Sequence, residues 1–161
     1  SPQICGMADA SFGVHSDSRS QSASASTLGS GSFYSSSHKQ KLTTKSSTEA
    51  ELVSASQCGG LLLGQRNYLL SRGFDSPAAL LGQDNKSTIQ VAKNGIRSAR
   101  RMKHLDNKIF FLKDYVEDNQ LLVQYIPTDN MVADVLTKPL PAKQFIRLRD
   151  KLLGYDKVWL D

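Results

Sequence analysis

Cysteine is scarce: the 161 residues hold two, Cys5 and Cys58, each within an apolar pattern. That excludes a disulfide framework, and with no charged-then-apolar leader ahead of them the expectation is a reduced intracellular protein. No run approaches the roughly 18 consecutive apolar residues of a membrane span, so a soluble chain without a membrane partner is expected. The three histidines and two cysteines include no pair at zinc-ligand spacing. Nor is there a large excess of one charge. Twenty Lys and Arg against 15 Asp and Glu leave a net +5, which favours an acidic partner such as nucleic acid but equally describes a solvated surface. What is present is a 39% hydrophobic composition over a length that suits one globular domain with a core of its own.

Residues 3 to 14, QICGMADASFGV, alternate Ile4, Gly6, Ala8, Ala10, Phe12 and Val14 with Cys5, Met7, Asp9 and Ser11. Small or apolar residues on both sides describe a central strand. From Ser16 to Ser37, 11 of 22 residues are serine, which reads as a polar-faced strand turning through LGSGSFYSSS into a hairpin, or else as a low-complexity linker. A long helix beginning near Thr48 puts Glu51, Ala55, Cys58, Leu62 and Leu69 along one direction, with Leu52, Gly59, Leu63 and Leu70 beside them. After SRGFDSP, the short apolar run from Ala78 to Leu81 predicts a buried strand ending at Asp84, and NKSTIQVAKNG a helix leaving it. Leu105, Ile109, Leu112 and Val116 mark a further helix, QLLVQYIPT a strand, and NMVADVLTKPLPAKQFIRLRDKLLG a helix interrupted by Pro139 and Pro141. The order is that of an α/β fold with a mixed sheet.

Four carboxylates in this pattern lack a surface explanation: Asp9 in mid-strand, Glu51 on the buried edge of the long helix, Asp84 at a strand end, and Asp134 between Ala133 and Val135. Buried charges are costly unless paired or bound to a cation, and the sequence offers no local partner, so a shared divalent metal site is the economical account. Hard oxygen ligands favour Mg²⁺ or Mn²⁺. Glu49, two residues before Glu51, has a simpler use: SSTE is a capping box in which Ser46 and Glu49 each satisfy a free backbone N–H at the helix start. Thr48 with Glu51 fits the same template, so a capping role for Glu51 stays open on local pattern.

The strings MADASFG, SSTEAELVSAS, QDNKSTI, RMKHLD and IPTDNMVADVLTKPL, in this order, resemble the RNase H domain of the Pol polyprotein of copia-type LTR retrotransposons, over roughly residues 6 to 154. The resemblance implies an RNase H-like fold, a five-stranded mixed sheet flanked by helices, in a single domain over 1–161 with 155–161 as a C-terminal tail, cut from a longer polyprotein. It implies a ribonuclease H that cleaves the RNA strand of RNA:DNA hybrids to 5′-phosphate and 3′-hydroxyl ends, working with the upstream reverse transcriptase in the cytoplasm, within virus-like particles. The family's metal ligands match Asp9, Glu51, Asp84 and Asp134. Two Mg²⁺ ions, replaceable by Mn²⁺, would lie about 4 Å apart, with Asp9 bridging both, Glu51 and Asp84 on the leaving-group side and Asp134 on the nucleophile side.

Contacts to 2′-hydroxyls across the wide minor groove would come from Ser47, Thr48 and Asn85, any of which could instead cap a helix. Between Lys93 and Lys113 lie seven Lys or Arg and one acid, a candidate phosphate track in which Arg100, Arg101, Lys103 and His104 stand out. The family commonly has a second aspartate where this chain has Ser11, but the metal ligand is the first, so activity is expected to survive. Cellular RNases H carry a product-release histidine where it has Thr128, Asp129 and Asn130, so slow turnover is expected. His15 and His38 read as surface residues. Two other readings remain: a non-catalytic module that only grips nucleic acid, and a DDE-type nuclease using Asp9, Asp84 and Glu117.

Overall fold

A computed structural model describes residues 1–95, 105–156 and 159. Among these, five strands build one sheet: β1 (Cys5–Ser11), β2 (Gln21–Thr27), β3 (Tyr34–Lys39), β4 (Ala79–Gln83) and β5 (Leu121–Tyr125), in the order β3-β2-β1-β4-β5. The β1–β2 and β2–β3 pairs are antiparallel, whereas β1–β4 and β4–β5 are parallel. Four helices flank it: α1 (Ser47–Ser71), α2 (Lys86–Asn94), α3 (Asp106–Glu117) and α4 (Ala142–Leu153). This is the α/β architecture with a mixed sheet that the sequence implies.

Small residues decide how closely the layers approach. A Cβ added to Gly6 on β1 would come within 2.6 Å of Leu62 on α1, so only glycine lets the helix press onto the sheet at this point. On that face Ile4, Ala8, Leu81, Leu121 and Val123 of the sheet join Leu52, Ala55 and Leu62 of α1 and Ile109 and Leu112 of α3. On the other face Met7, Ala23 and Ala25 pack with Ile126, Met131, Val132 and Ala133.

Three sequence expectations change. The serine-rich strand is not polar-faced toward solvent: Ser22 to Thr27 are all buried, with β1 and β3 on its two sides. Serine serves as a small residue there, and Ser22 Oγ accepts from Gln40 Nε2 at 2.8 Å. The stripe on α1 is also incomplete. Residues 49–55 are buried all round because the helix start is enclosed on several sides, Gln40 Nε2 donating to Ala50 O at 2.9 Å, while Leu70 near the far end is exposed. The segment around Asp134 is not an α-helix but two short 3₁₀ turns, Thr128–Asn130 and Val132–Leu136. The prolines act as expected, and α4 begins only after Pro141. Trp159, in the C-terminal segment, is 1% exposed, and its Nε1 donates to Lys151 O at 3.0 Å.

Candidate metal centre

The C-terminal ends of the parallel neighbours β1 and β4 lie side by side, the usual place for a ligand site in an open α/β sheet. Asp9 sits near the end of β1, and Asp84 directly follows β4. Glu51 comes to them from the first turns of α1, because Ser54, one turn further on, donates to Asp9 O at 2.7 Å and to Ala23 O at 3.1 Å. The result is that Asp9, Glu51 and Asp84 each offer an oxygen within 4.8 Å of the other two.

Glu51 and Asp84 are held apart by one side chain that sequence reasoning did not single out. Gln83, fully buried, donates through Nε2 to Glu51 Oε2 at 3.2 Å and accepts through Oε1 from Asp84 N at 2.8 Å and Asn85 N at 3.0 Å. Glu51 Oε1 accepts from Ala10 N at 3.3 Å. Thr128 donates to Asp84 Oδ2 at 3.0 Å and so stands beside the carboxylate.

Asp134 stands apart from this trio. It is completely buried, its Oδ1 lies 3.0 Å from Lys138 Nζ, and beyond that ion pair neither oxygen meets a hydrogen-bond donor among the described residues. The same ammonium is 3.6 Å from Asp9 Oδ2, which also accepts from Thr137 Oγ1. Thr137 and Lys138 lie within the LTKPL string but carry no pattern that would mark them. Their partner Asp9 is 128 residues from Thr137.

Glu49 has the capping role. Its backbone N–H donates to Ser46 Oγ at 3.2 Å, and its Oε2 accepts from Lys45 N at 2.7 Å, one residue before the usual capping-box donor. It is 4% exposed and Glu51 7%, so burial alone does not separate the two glutamates; their partners do.

Burial pushes the Glu51 carboxyl up to about 9, aided by the negative charges of Asp9 and Asp84 and opposed by the Ala10 N–H and the Gln83 amide. Burial likewise pushes Asp134 up to about 7, aided by Asp9 and opposed by Lys138. Asp9 is raised by burial against the pull of Lys138 and Thr137. The group therefore holds protons that the unfolded chain would release near pH 4, and without a cation its folded state is stabilised at low pH and loses that stability as pH rises. In EDTA the stability is expected to fall steadily from about pH 5 to about pH 9, by on the order of a few kcal/mol in all, and the melting temperature with it. Thermal melts of the parent and of the Glu51→Gln, Asp134→Asn double variant check this; an equal slope in both would refute the assignment.

Three hard carboxylate donors crowded onto one point suit a hard divalent cation. Of the other sequence candidates, Ser47 is exposed and Thr48 half-buried at the start of α1. Asn85 caps α2, accepting from Thr88 N at 3.0 Å, so its carbonyl is engaged. Arg100, Arg101, Lys103 and His104 lie outside the described residues. Glu117 is not in the carboxylate group; it pairs with Lys113 at 3.2 Å on an exposed stretch of α3, which removes the third acid of the DDE reading. His15 and His38 bond to Gln21 Oε1 at 2.8 Å and Gln57 Oε1 at 3.1 Å, away from the acids.

No protein-family model matches the chain. It is 34% identical over 150 residues to the truncated transposon Ty1-A Gag-Pol polyprotein and to the transposon TyH3 Gag-Pol polyprotein of Saccharomyces cerevisiae. Each match covers 92% of this chain but only 12% and 8% of those proteins, so the chain spans about a tenth of their length. Among solved structures it is similar to LC11-RNase H1 isolated from compost, with a TM-score of 0.62 and 12% identity over 85% of this chain and 94% of that one. The same enzyme in complex with an RNA/DNA hybrid gives a TM-score of 0.57 at 12% identity, covering 84% and 94%. A foamy viral protease-reverse transcriptase in complex with dsDNA gives 0.52 at 14% identity, covering 84% and 92%. At such identities these likenesses show the fold.

Proposed function

The chain belongs to the Pol polyproteins of copia-type retrotransposons, in which it is the segment with the RNase H fold, and from that premise we propose that it is a metal-dependent endoribonuclease cutting the RNA strand of RNA:DNA hybrids. The observation that carries this reading is the convergence of Asp9, Glu51 and Asp84 from three separate elements on one point. A module that only grips nucleic acid has no use for three crowded acids that repel phosphate.

Asp9, Glu51 and Asp84 would hold a hard cation, Mg²⁺ or in its place Mn²⁺, and Asp134 would serve a second one beside Asp9. When bound, these ions supply an activated water and charge neutralisation at the scissile phosphate. The chain's own residues do the rest. Gln83 fixes the spacing of Glu51 and Asp84, and Thr137 orients Asp9. Ser47, exposed, and Thr48, half-buried, at the start of α1 read the 2′-hydroxyls of the RNA strand across its minor groove, with Asn85 contributing its side-chain amide. Arg100, Arg101, Lys103 and His104 track the phosphates without reading sequence.

The hybrid-bound LC11-RNase H1 supports the hybrid as partner, and the Gag-Pol relatives and the foamy viral protease-reverse transcriptase support an upstream reverse transcriptase as the other. The work would be done in the cytoplasm, within virus-like particles. Residues 1–161 act as one domain in this reading, with turnover slowed because Thr128 holds Asp84 where a histidine would assist release. No helix among the described residues is long and apolar enough to cross a membrane.

The test is an end-labelled RNA:DNA hybrid, with DNA and RNA duplex controls, in Mg²⁺, Mn²⁺ and EDTA. Cutting of the hybrid's RNA strand alone, lost in EDTA and in Asp84→Asn, is the expected result. Hybrid binding without cleavage in either metal would instead favour the gripping module.

A further inference from the structure

Resting on the metal-dependent reading, we infer that Lys138 is the internal counter-cation of the Asp9–Asp134 half of the centre, and that a second divalent ion reaches these two carboxylates only by displacing its ammonium.

The geometry leaves little choice. One Nζ stands 3.0 Å from Asp134 Oδ1 and 3.6 Å from Asp9 Oδ2, so a single charge serves both acids. Asp134 is completely buried with no other donor in reach among the described residues. Any cation shared by Asp9 and Asp134 must therefore compete with the ammonium whose charge already serves both carboxylates. In the trio of Asp9, Glu51 and Asp84 only Asp9 is paired with Lys138, so a first ion meets two carboxylates that the ammonium does not bind, whereas Asp9 and Asp134 are both paired with it.

Charge points the same way. Four ionised carboxylates with one divalent ion and the ammonium keep a single net negative charge, and a second divalent ion brings them to neutrality only if the ammonium leaves. The side chain is built to leave. It is 34% exposed, it enters from the surface on a flexible four-carbon stem, and Thr137 beside it separately holds Asp9, so the carboxylate keeps its orientation when the amine swings out. Lys138 is thus a positioning residue that makes the two metal sites unequal, the first filled readily and the second only at higher ion concentration.

The experiment is Mn²⁺ binding to the full chain by calorimetry and by electron paramagnetic resonance of the free ion, for the parent, Lys138→Met and Lys138→Arg, with no nucleic acid present. The parent should bind two ions of unequal affinity. Lys138→Met should leave the first affinity unchanged and tighten the second by about tenfold, because the competing charge is gone. Lys138→Arg should keep the parent's weak second site. A structural role alone would weaken binding in Lys138→Met, so an unchanged or weaker second site overturns the inference while leaving the metal-dependent reading intact. A first site that Glu51→Gln does not weaken would overturn the reading itself, and the inference with it.

Discussion

Glu51→Gln is expected to lower hybrid cleavage by at least about a hundredfold, the size of effect seen when one preorganised electrostatic group at a reaction centre is removed. Glu49→Gln should keep the parent rate. Both residues are buried carboxylates on the first turns of α1, two positions apart, so the pair is a controlled comparison. The difference lies in what each oxygen faces. Glu49 is spent on the helix start, where its Oε2 accepts the Lys45 N–H. Glutamine keeps an oxygen that can do the same, so the cost should be below about 1 kcal/mol. Glu51 faces Asp9 and Asp84, and a neutral amide there supplies neither the charge nor, on its nitrogen, a donor atom for a cation. It also turns a donor toward Ala10 N or Gln83 Nε2, both of which already donate. Initial cleavage rates in Mg²⁺, read beside melting temperatures, distinguish the two; equal losses would mean that Glu51 is structural.

Trp159→Ala should cost about 3–5 kcal/mol, the range for removing a large buried aromatic, and so lower the melting temperature by roughly 10 °C. The indole belongs to the cluster with Met7, Ala23, Ala25, Ile126, Met131, Val132 and Ala133, and four of these bear directly on the centre. Met7 precedes Asp9 by two residues on β1, while Met131, Val132 and Ala133 lead into Asp134. Trp159→Phe should recover most of the loss and leave the smaller part, about 1 kcal/mol, that belongs to the bond from Nε1 to Lys151 O. Chemical denaturation of the three proteins measures both steps. A change below about 1 kcal/mol for Trp159→Ala would show that the residue contributes little packing.

Much of this was legible in the chain, and the failures share a cause. Strand β1, helix α1 and the apolar runs of β4 and β5 declare themselves by spacing, since each buries a face whose period shows locally. Asp9, Glu51 and Asp84 were legible as charges with no local excuse, and the fold brings them together. Residues that act through a distant partner gave no such sign: Gln83 meets Glu51 across 32 positions. An uncharged amide that follows a glycine at the end of an apolar strand, or a lysine next to a proline, looks like surface from its neighbours. The segment around Asp134 forms 3₁₀ turns where the sequence predicts a helix, because the apolar Val132, Ala133 and Leu136 pattern suits either and the backbone there follows its packing on Met7 and Trp159.

The buried serine–alanine alternation of β2 bears on how this sequence can drift. Serine-rich stretches are ordinarily the parts of a chain that neutral substitution rewrites first, because nothing rests on them. In β2 each side chain from Ser22 to Ser26 is enclosed, with α1 anchored to its backbone through Ser54 and the Asp9 strand paired along its whole length. Added volume at any of these positions would separate layers whose contact sets the place of the acids. In related chains the stretch should therefore vary among Ser, Ala, Gly, Cys and Thr and admit little else, so that a segment of low complexity evolves as slowly as a core.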